Sequence, residues 1–322
     1  MFVGFFRQLA AFSGAVILAL SPTAGRTEDG NPLRGLHLPE ISGYSASPQH
    51  GGRPTDQSTG EVTLAAKLTD HGADINRGLI WRVFRPEPGP DGKLPLVASA
   101  QGGTSVFHLA PGSYLVHASF GRAGATKRIT VSTQGKHEDV VLDAGGLKLD
   151  ATLAGGVRIP PAKLRFSIYD AKPETDGDRA LIIPDVSPNT IVRLNAGVYH
   201  IVSTYGNVNA VIRSDIRVEA GKLTEATVEH HAAEVTLKLV REEGGEAMAD
   251  TSWSVLTTAG DPVRESVGAF ATMVLAEGDY TIVAKNKDRI YQRDFNVAGG
   301  HNQDVEVLAN EATAEDPNDG AD

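Results

Sequence analysis

The chain has no cysteine in 322 residues, which removes thiol catalysis, cysteine-ligated zinc, iron–sulfur centres and a cysteine-borne lipid anchor. It also leaves no disulfides, so each domain must hold itself together by burying apolar surface. Bases are in deficit: 30 Lys and Arg stand against 40 Asp and Glu, a formal charge of −10. A nucleic-acid binder needs a basic stripe to displace phosphate counterions, and that class is excluded. Helical periodicity is missing as well, since no stretch of helix length carries an amphipathic stripe. The motifs H-E-x-x-H, G-x-S-x-G, S-x-x-K and the Walker loop are all absent. No catalytic residue, metal ligand or cofactor is therefore assigned, and the chain reads as a non-enzyme. An enzymatic alternative would require a concave pocket with convergent polar groups.

Long apolar runs are missing except at the start. Arg7 precedes a mostly apolar run over residues 9–20, followed by Ser21-Pro22 and small residues. That is the layout of a secretory signal, whose apolar core runs about 7–15 residues. A spanning helix wants roughly 20 apolar residues, and counting back that far takes in Arg7 and Gln8. Residues 1–25 are read as a signal peptide, with a retained membrane anchor as the alternative. The expected location is the periplasm or another exported compartment, with membrane contact only through an uncleaved signal.

Residues 26–58 are rich in Gly, Pro, Ser, Thr and His without sustained periodicity, as in Ser45-Ala46-Ser47-Pro48. They are read as a flexible linker, although Leu36, Leu38 and Ile41 offer one extra edge strand. Residues 310–322 hold five acids and no base, a solvated, disordered tail.

What lies between repeats three times. Leu109-Ala110-Pro111-Gly112-Ser113-Tyr114 recurs as Leu194-Asn195-Ala196-Gly197-Val198-Tyr199 and Leu275-Ala276-Glu277-Gly278-Asp279-Tyr280, with tyrosines 85 and 81 residues apart. Upstream of each lies an aromatic in an alternating run: Trp81, Phe166 and Trp253. Downstream, Ile129-x-Val131, Ile216-x-Val218 and Phe295-x-Val297 match. Landmarks recurring in one order define an internal repeat, with units at 59–145, 146–232 and 233–309. Their periodicity is two, as in Val235-Thr236-Leu237-Lys238-Leu239, which is that of half-buried strands. Short strands separated by Asp91-Gly92, Asp176-Gly177 and Gly244-Gly245 turns predict three tandem immunoglobulin-like or prealbumin-like antiparallel β-sandwiches. The connections between units are only a few residues long, so little independent swivelling is expected.

The repeated element reads as a tyrosine corner, in which Leu and Tyr point inward and the Tyr hydroxyl bonds nearby backbone. Gly112, Gly197 and Gly278 are expected to supply positive φ at the turn. This pattern resembles the carboxypeptidase-regulatory-like and PEGA-type sandwich domains. Over residues 60–309 the chain is similar to exported alphaproteobacterial proteins of unknown function. Units two and three depart from the pattern with Ala196 and Glu277 in place of Pro111. The resemblance speaks to fold and is nearly silent on activity.

Three local clusters remain. Tyr205-Gly206-Asn207-Val208-Asn209, matching Phe120-Gly121-Arg122 in the first unit, combines an aromatic with amides. Tyr205, Asn207 and Asn209 are the candidate contacts for a glycan or a partner, with an ordinary turn as the alternative. Glu174, Asp176 and Asp178 could hold Ca²⁺, although the full EF-hand loop is absent. His230-His231 is read as a junction loop, because adjacent strand residues face opposite ways and chelate one metal poorly. The expected role is non-catalytic: tandem modules presented to another envelope protein, or alternatively to a cell-wall glycan such as peptidoglycan.

Overall fold

The structure, a computed structural model, describes residues 59–175 and 177–309. The readings of a signal peptide, a linker with its extra strand, and an acidic tail lie outside the described residues, as does Asp176.

Alternation builds the strands, and the strands build three sandwiches. The first contains β1 (Gly60–Lys67), β2 (Leu79–Phe84), β3 (Leu96–Gly102), β4 (Ser105–Leu109), β5 (Gly112–Phe120), β6 (Ala123–Val131) and β7 (Lys136–Val141). The second contains β8 (Ala144–Leu153), the short β9 (Val157–Arg158), β10 (Leu164–Pro173), β11 (Arg179–Val186), β12 (Ile191–Asn195), β13 (Gly197–Tyr205), β14 (Val211–Val218) and β15 (Leu223–His230). The third contains β16 (Ala232–Val240), β17 (Thr251–Thr257), β18 (Pro262–Val267), β19 (Phe270–Ala276), β20 (Gly278–Asn286), β21 (Arg289–Val297) and β22 (Gln303–Leu308).

Each sandwich stacks two sheets: β4-β1-β7 on β3-β2-β5-β6, β12-β8-β15 on β11-β10-β13-β14, and β19-β16-β22 on β18-β17-β20-β21; in the second, the short β9 adds a fourth strand by pairing with β8. The fold class is thus all-β and sandwich-like, as the periodicity indicates. One pairing per sandwich is parallel, however, because the first strand lies beside the last: β1 with β7, β8 with β15, β16 with β22. A period of two is the same for both pairings, so alternation alone does not disclose this.

Each sandwich has its own core. Val62, Leu64, Trp81, Val83 and Val116 fill the first, Leu147, Leu149, Phe166, Ile168 and Ile201 the second, and Val235, Leu237, Trp253, Val255 and Ile282 the third. The equivalence of the three aromatics extends to their bonding. Trp81 Nε1 donates to the Gly103 carbonyl at 2.8 Å, and Trp253 Nε1 donates to the Gly268 carbonyl at 2.9 Å. Phe166, fully buried at the matching place, has no donor to satisfy.

The corners behave as tyrosine corners. Tyr114, Tyr199 and Tyr280 each donate to the carbonyl four residues back, that of Ala110, Asn195 and Ala276, at 2.9 Å in every case. The glycines need correction. Only Gly278 has positive φ, at 152°. What all three share is a tyrosine ring lying 3.8–3.9 Å from where a Cβ would stand. That is ordinary van der Waals distance, so the ring does not by itself demand glycine at any of the three positions. Tyr114 and Tyr280 are buried, whereas Tyr199 is only half-buried.

Candidate functional site

Several polar side chains bond across the places where one sandwich meets the next. At the first meeting, the β5–β6 hairpin turn of the first sandwich lies against the corner of the second. Asn195 Nδ2 donates to the carbonyls of Leu142 at 2.7 Å and Gly124 at 3.1 Å, while its Oδ1 accepts from Gly124 N at 3.2 Å. Arg122 N donates to the Arg193 carbonyl at 3.1 Å, and the Arg193 guanidinium sits 4.4 Å from the centre of the Phe120 ring. A primary amide has both donors and an acceptor in one plane, so the single Asn195 side chain satisfies two carbonyls and one N–H of the first sandwich.

The second meeting uses the same surfaces with the amide moved to the other side. Here Asn209, on the β13–β14 turn, donates to Tyr280 Oη at 2.8 Å and accepts from Ala276 N at 2.9 Å. Lys163 pairs with Glu234 across the same seam at 2.5 Å. Apolar contacts accompany the polar ones: Val274 and Ala232 pack into the second core, Val208 packs against the third, and Ala144 belongs to the first.

These placements correct the aromatic–amide reading of the β13–β14 turn. Tyr205 is 2% exposed inside the second core, with its ring edge-on to His230, so it cannot offer a face to a sugar. Asn209 is committed to the third sandwich. Only Asn207 is exposed. The strand itself carried the signal, because Tyr205 shares parity with Tyr199 and Ile201 and so points inward. Asn195, Arg193 and Ser203 were not singled out by sequence reasoning. Asn195 could have been, as the one amide in a corner that has alanine in the other two units.

His230 is also corrected: it closes β15 rather than lying in a loop, and it is 1% exposed while His231 faces solvent. Its Nε2 pairs with Ser203 Oγ at 2.8 Å. Burial pushes the imidazole down to about 4, and the neighbouring His231 adds a smaller push in the same direction. In the unfolded chain His230 titrates near its ordinary value, so between the two values the unfolded state binds more protons. The neutral His230 therefore contributes fully above about pH 6.5 and is lost as pH falls toward 4, a loss on the order of 2 kcal/mol after allowing for solvent screening. We expect thermal stability to decline across that window. Ser203→Ala with His230→Leu, the residues that the first sandwich carries as Ala118 and Leu142, should flatten the decline. Calorimetry from pH 7 to 4.5 measures both, and equal slopes would remove His230 as the cause.

Open clefts lie elsewhere among the described residues. One of about 440 Å³ on the outer face of the second sandwich is lined by Tyr169, Arg179, His200 and Arg213. There His200 Nδ1 lies 2.7 Å from Asp215 Oδ1, and the Tyr169 ring stands edge-on to His200 with centroids 6.5 Å apart. Another, of about 510 Å³, lies at the β20–β21 turn between Arg241, Met248, Lys287, Arg289 and Tyr291. Among the described residues no group of three or more His, Asp or Glu gathers to hold a metal ion, and no helix is long and apolar enough to cross a membrane.

Comparison with known proteins places the third repeat first. Residues 234–309 match the model of the Rhizobiales growth-associated tandem repeat domain. The described sandwiches thus form a tandem β-sandwich repeat protein whose third repeat matches that model. No curated protein matches the chain. Among solved structures, the Bacillus anthracis TIE protein aligns at 15% identity over 78% of this chain with a TM-score of 0.22, and the chain spans 51% of its length. GBS52, the minor pilin of Streptococcus agalactiae, aligns at 15% identity over 53% of this chain and 95% of its own, with a TM-score of 0.32. BcpA, the major pilin subunit of Bacillus cereus, aligns at 11% identity over 78% and 99%, with a TM-score of 0.23. The fold assignment here rests on the sheet topology itself.

Proposed function

We propose that the protein is a non-catalytic, exported component of the cell envelope, whose three joined β-sandwiches hold a binding surface at a set geometry toward another envelope protein. In this reading residues 1–25 direct export, residues 26–58 act as a tether, and kinship with carboxypeptidase-regulatory-like and PEGA-type domains accounts for the corner motif. The observation that carries it is the construction of the junctions. Asn195 and Asn209 each spend their side-chain amide on the adjoining sandwich, Asn195 on the first and Asn209 on the third, an investment that serves relative placement of sandwiches rather than the stability of any one. The match of residues 234–309 to a growth-associated tandem repeat supports the repeat-module part of this reading.

Cross-linking in intact cells followed by mass spectrometry of the captured partner tests this reading. Recovery of the protein alone, in the cytoplasmic fraction, would overturn it. Export makes a separate expectation: the mature protein should begin near residue 25, and an intact Met1 on a soluble cytoplasmic species would refute it.

A cell-wall glycan is the second reading, and one feature favours it. The cleft on the second sandwich offers the Tyr169 ring beside His200, Arg179 and Arg213, so that a sugar could stack and bond in one place. Tyr169→Ala with Arg213→Ala should abolish a peptidoglycan pull-down that the wild type shows. Undiminished binding by the double variant would remove this reading.

A further inference from the structure

We infer that the array is closed at its third repeat: Lys287 prevents another repeat, whether added to this chain or belonging to a second copy, from joining there in the way repeats join within the chain. The inference comes from comparing one position three times. The first residue after β5, β13 and β20 is Gly121, Gly206 and Lys287, and all three are left-handed, with φ of 66°, 74° and 56°. Glycine suits that conformation best, and the chain uses it twice.

At both glycines the next sandwich lies directly against the turn. A Cβ on Gly121 would stand 3.0 Å from Arg193 Cβ, and one on Gly206 would stand 2.7 Å from Val274 Cβ. Those atoms are next to backbone and cannot swing aside. Lys287 has a left-handed backbone despite its side chain, so the turn itself does not demand glycine. The absence of a Cβ at 121 and 206 is what the junctions demand. Lysine at 287 fills that space with a charged stem.

The partner groups are missing as well. Each internal junction has one bridging Asn, on the corner at 195 or on the hairpin at 209. A junction between Lys287 and the first repeat of another copy would have Ala110 at the corner and Lys287-Asp288 at the hairpin turn. It would set Lys287 against His108, which occupies the place of Arg193 and Val274 and is exposed. Neither the room nor the amide is present. Heterologous contacts that do not close produce open chains of subunits, and terminal repeats that refuse a neighbour end such arrays.

Two measurements on the full chain test this. Gly121→Lys and Gly206→Lys should each open its own junction. Opening would be read as early proteinase K cleavage near residues 143–146 or 228–235 and as a melting transition separated from the rest, with the larger effect at 206. Because the β5–β6 turn has two residues like the β20–β21 turn, Gly121→Lys distinguishes lost docking from a broken hairpin. If both variants stay uncut and melt like wild type, a lysine fits a closed junction and the inference fails. Sedimentation velocity of the wild type should show a monomer at every concentration. Concentration-dependent chains, with Lys287 cross-linked to the first repeat of another copy, would also overturn it.

Discussion

Replacing Tyr114 or Tyr280 with alanine is expected to cost roughly 3–5 kcal/mol, the range for deleting a large buried aromatic. That is comparable to the whole stability of a small sandwich, so the affected repeat should be largely unfolded at 37 °C. Tyr199→Ala should fall at or below the lower end, because its ring is only half-buried. The hydroxyl can be isolated with phenylalanine. Tyr114→Phe loses one bond to the Ala110 carbonyl and should cost about 1 kcal/mol. Tyr280→Phe loses the bond to Ala276 and also leaves the Asn209 amide without its acceptor, so it should cost more and should weaken the second junction. Chemical denaturation of the five variants measures this. If the alanine variants all melt like wild type, the corners do not hold the repeats.

Asn195→Ala should uncouple the first two sandwiches. It removes three hydrogen bonds and leaves the Gly124 and Leu142 carbonyls without their amide donor, at roughly 1–3 kcal/mol for each buried group left unpaired. A loss on the order of 3 kcal/mol falls on the junction and not on either core, so each repeat should stay folded while cooperativity between them drops. Differential scanning calorimetry should then resolve two transitions where the wild type shows one. Protease should cut near residues 143–146, while wild type keeps a resistant core spanning the repeats. Asn195→Asp is the sharper test. It keeps the shape and the acceptor but sets a carboxylate against two carbonyl oxygens, and should uncouple the repeats at least as strongly.

Much of the fold was legible because its determinants are local. Alternation in Val235-Thr236-Leu237-Lys238-Leu239 needs only neighbouring residues to declare a strand. The corner spans six residues, and its Tyr hydroxyl reaches a carbonyl only four residues back. Trp81, Phe166 and Trp253 could be paired as equivalents because each stands at a similar distance before its corner. These features recur in every repeat, and recurrence separates a constraint from an accident.

The site was harder, for a physical reason. Tyr205, Asn207 and Asn209 have the composition of a sugar platform, but composition does not say which way a ring points. Strand parity turns Tyr205 inward, and the third sandwich occupies Asn209. Ser203 and His230 lie 27 residues apart and pair across the core, so neither predicts the other. By itself the sequence determined the repeat, its all-β class, its corners and its acidic, cysteine-free chemistry, since each depends on residue type or on spacing within a few residues. Only the tertiary structure decided the parallel pairing of first and last strands, the burial of His230 and the division of labour between Asn195, Asn209 and Lys287. Those depend on which surfaces meet after folding, and a glycine, an asparagine or a lysine in a turn has the same local propensity whether or not another sandwich lies against it.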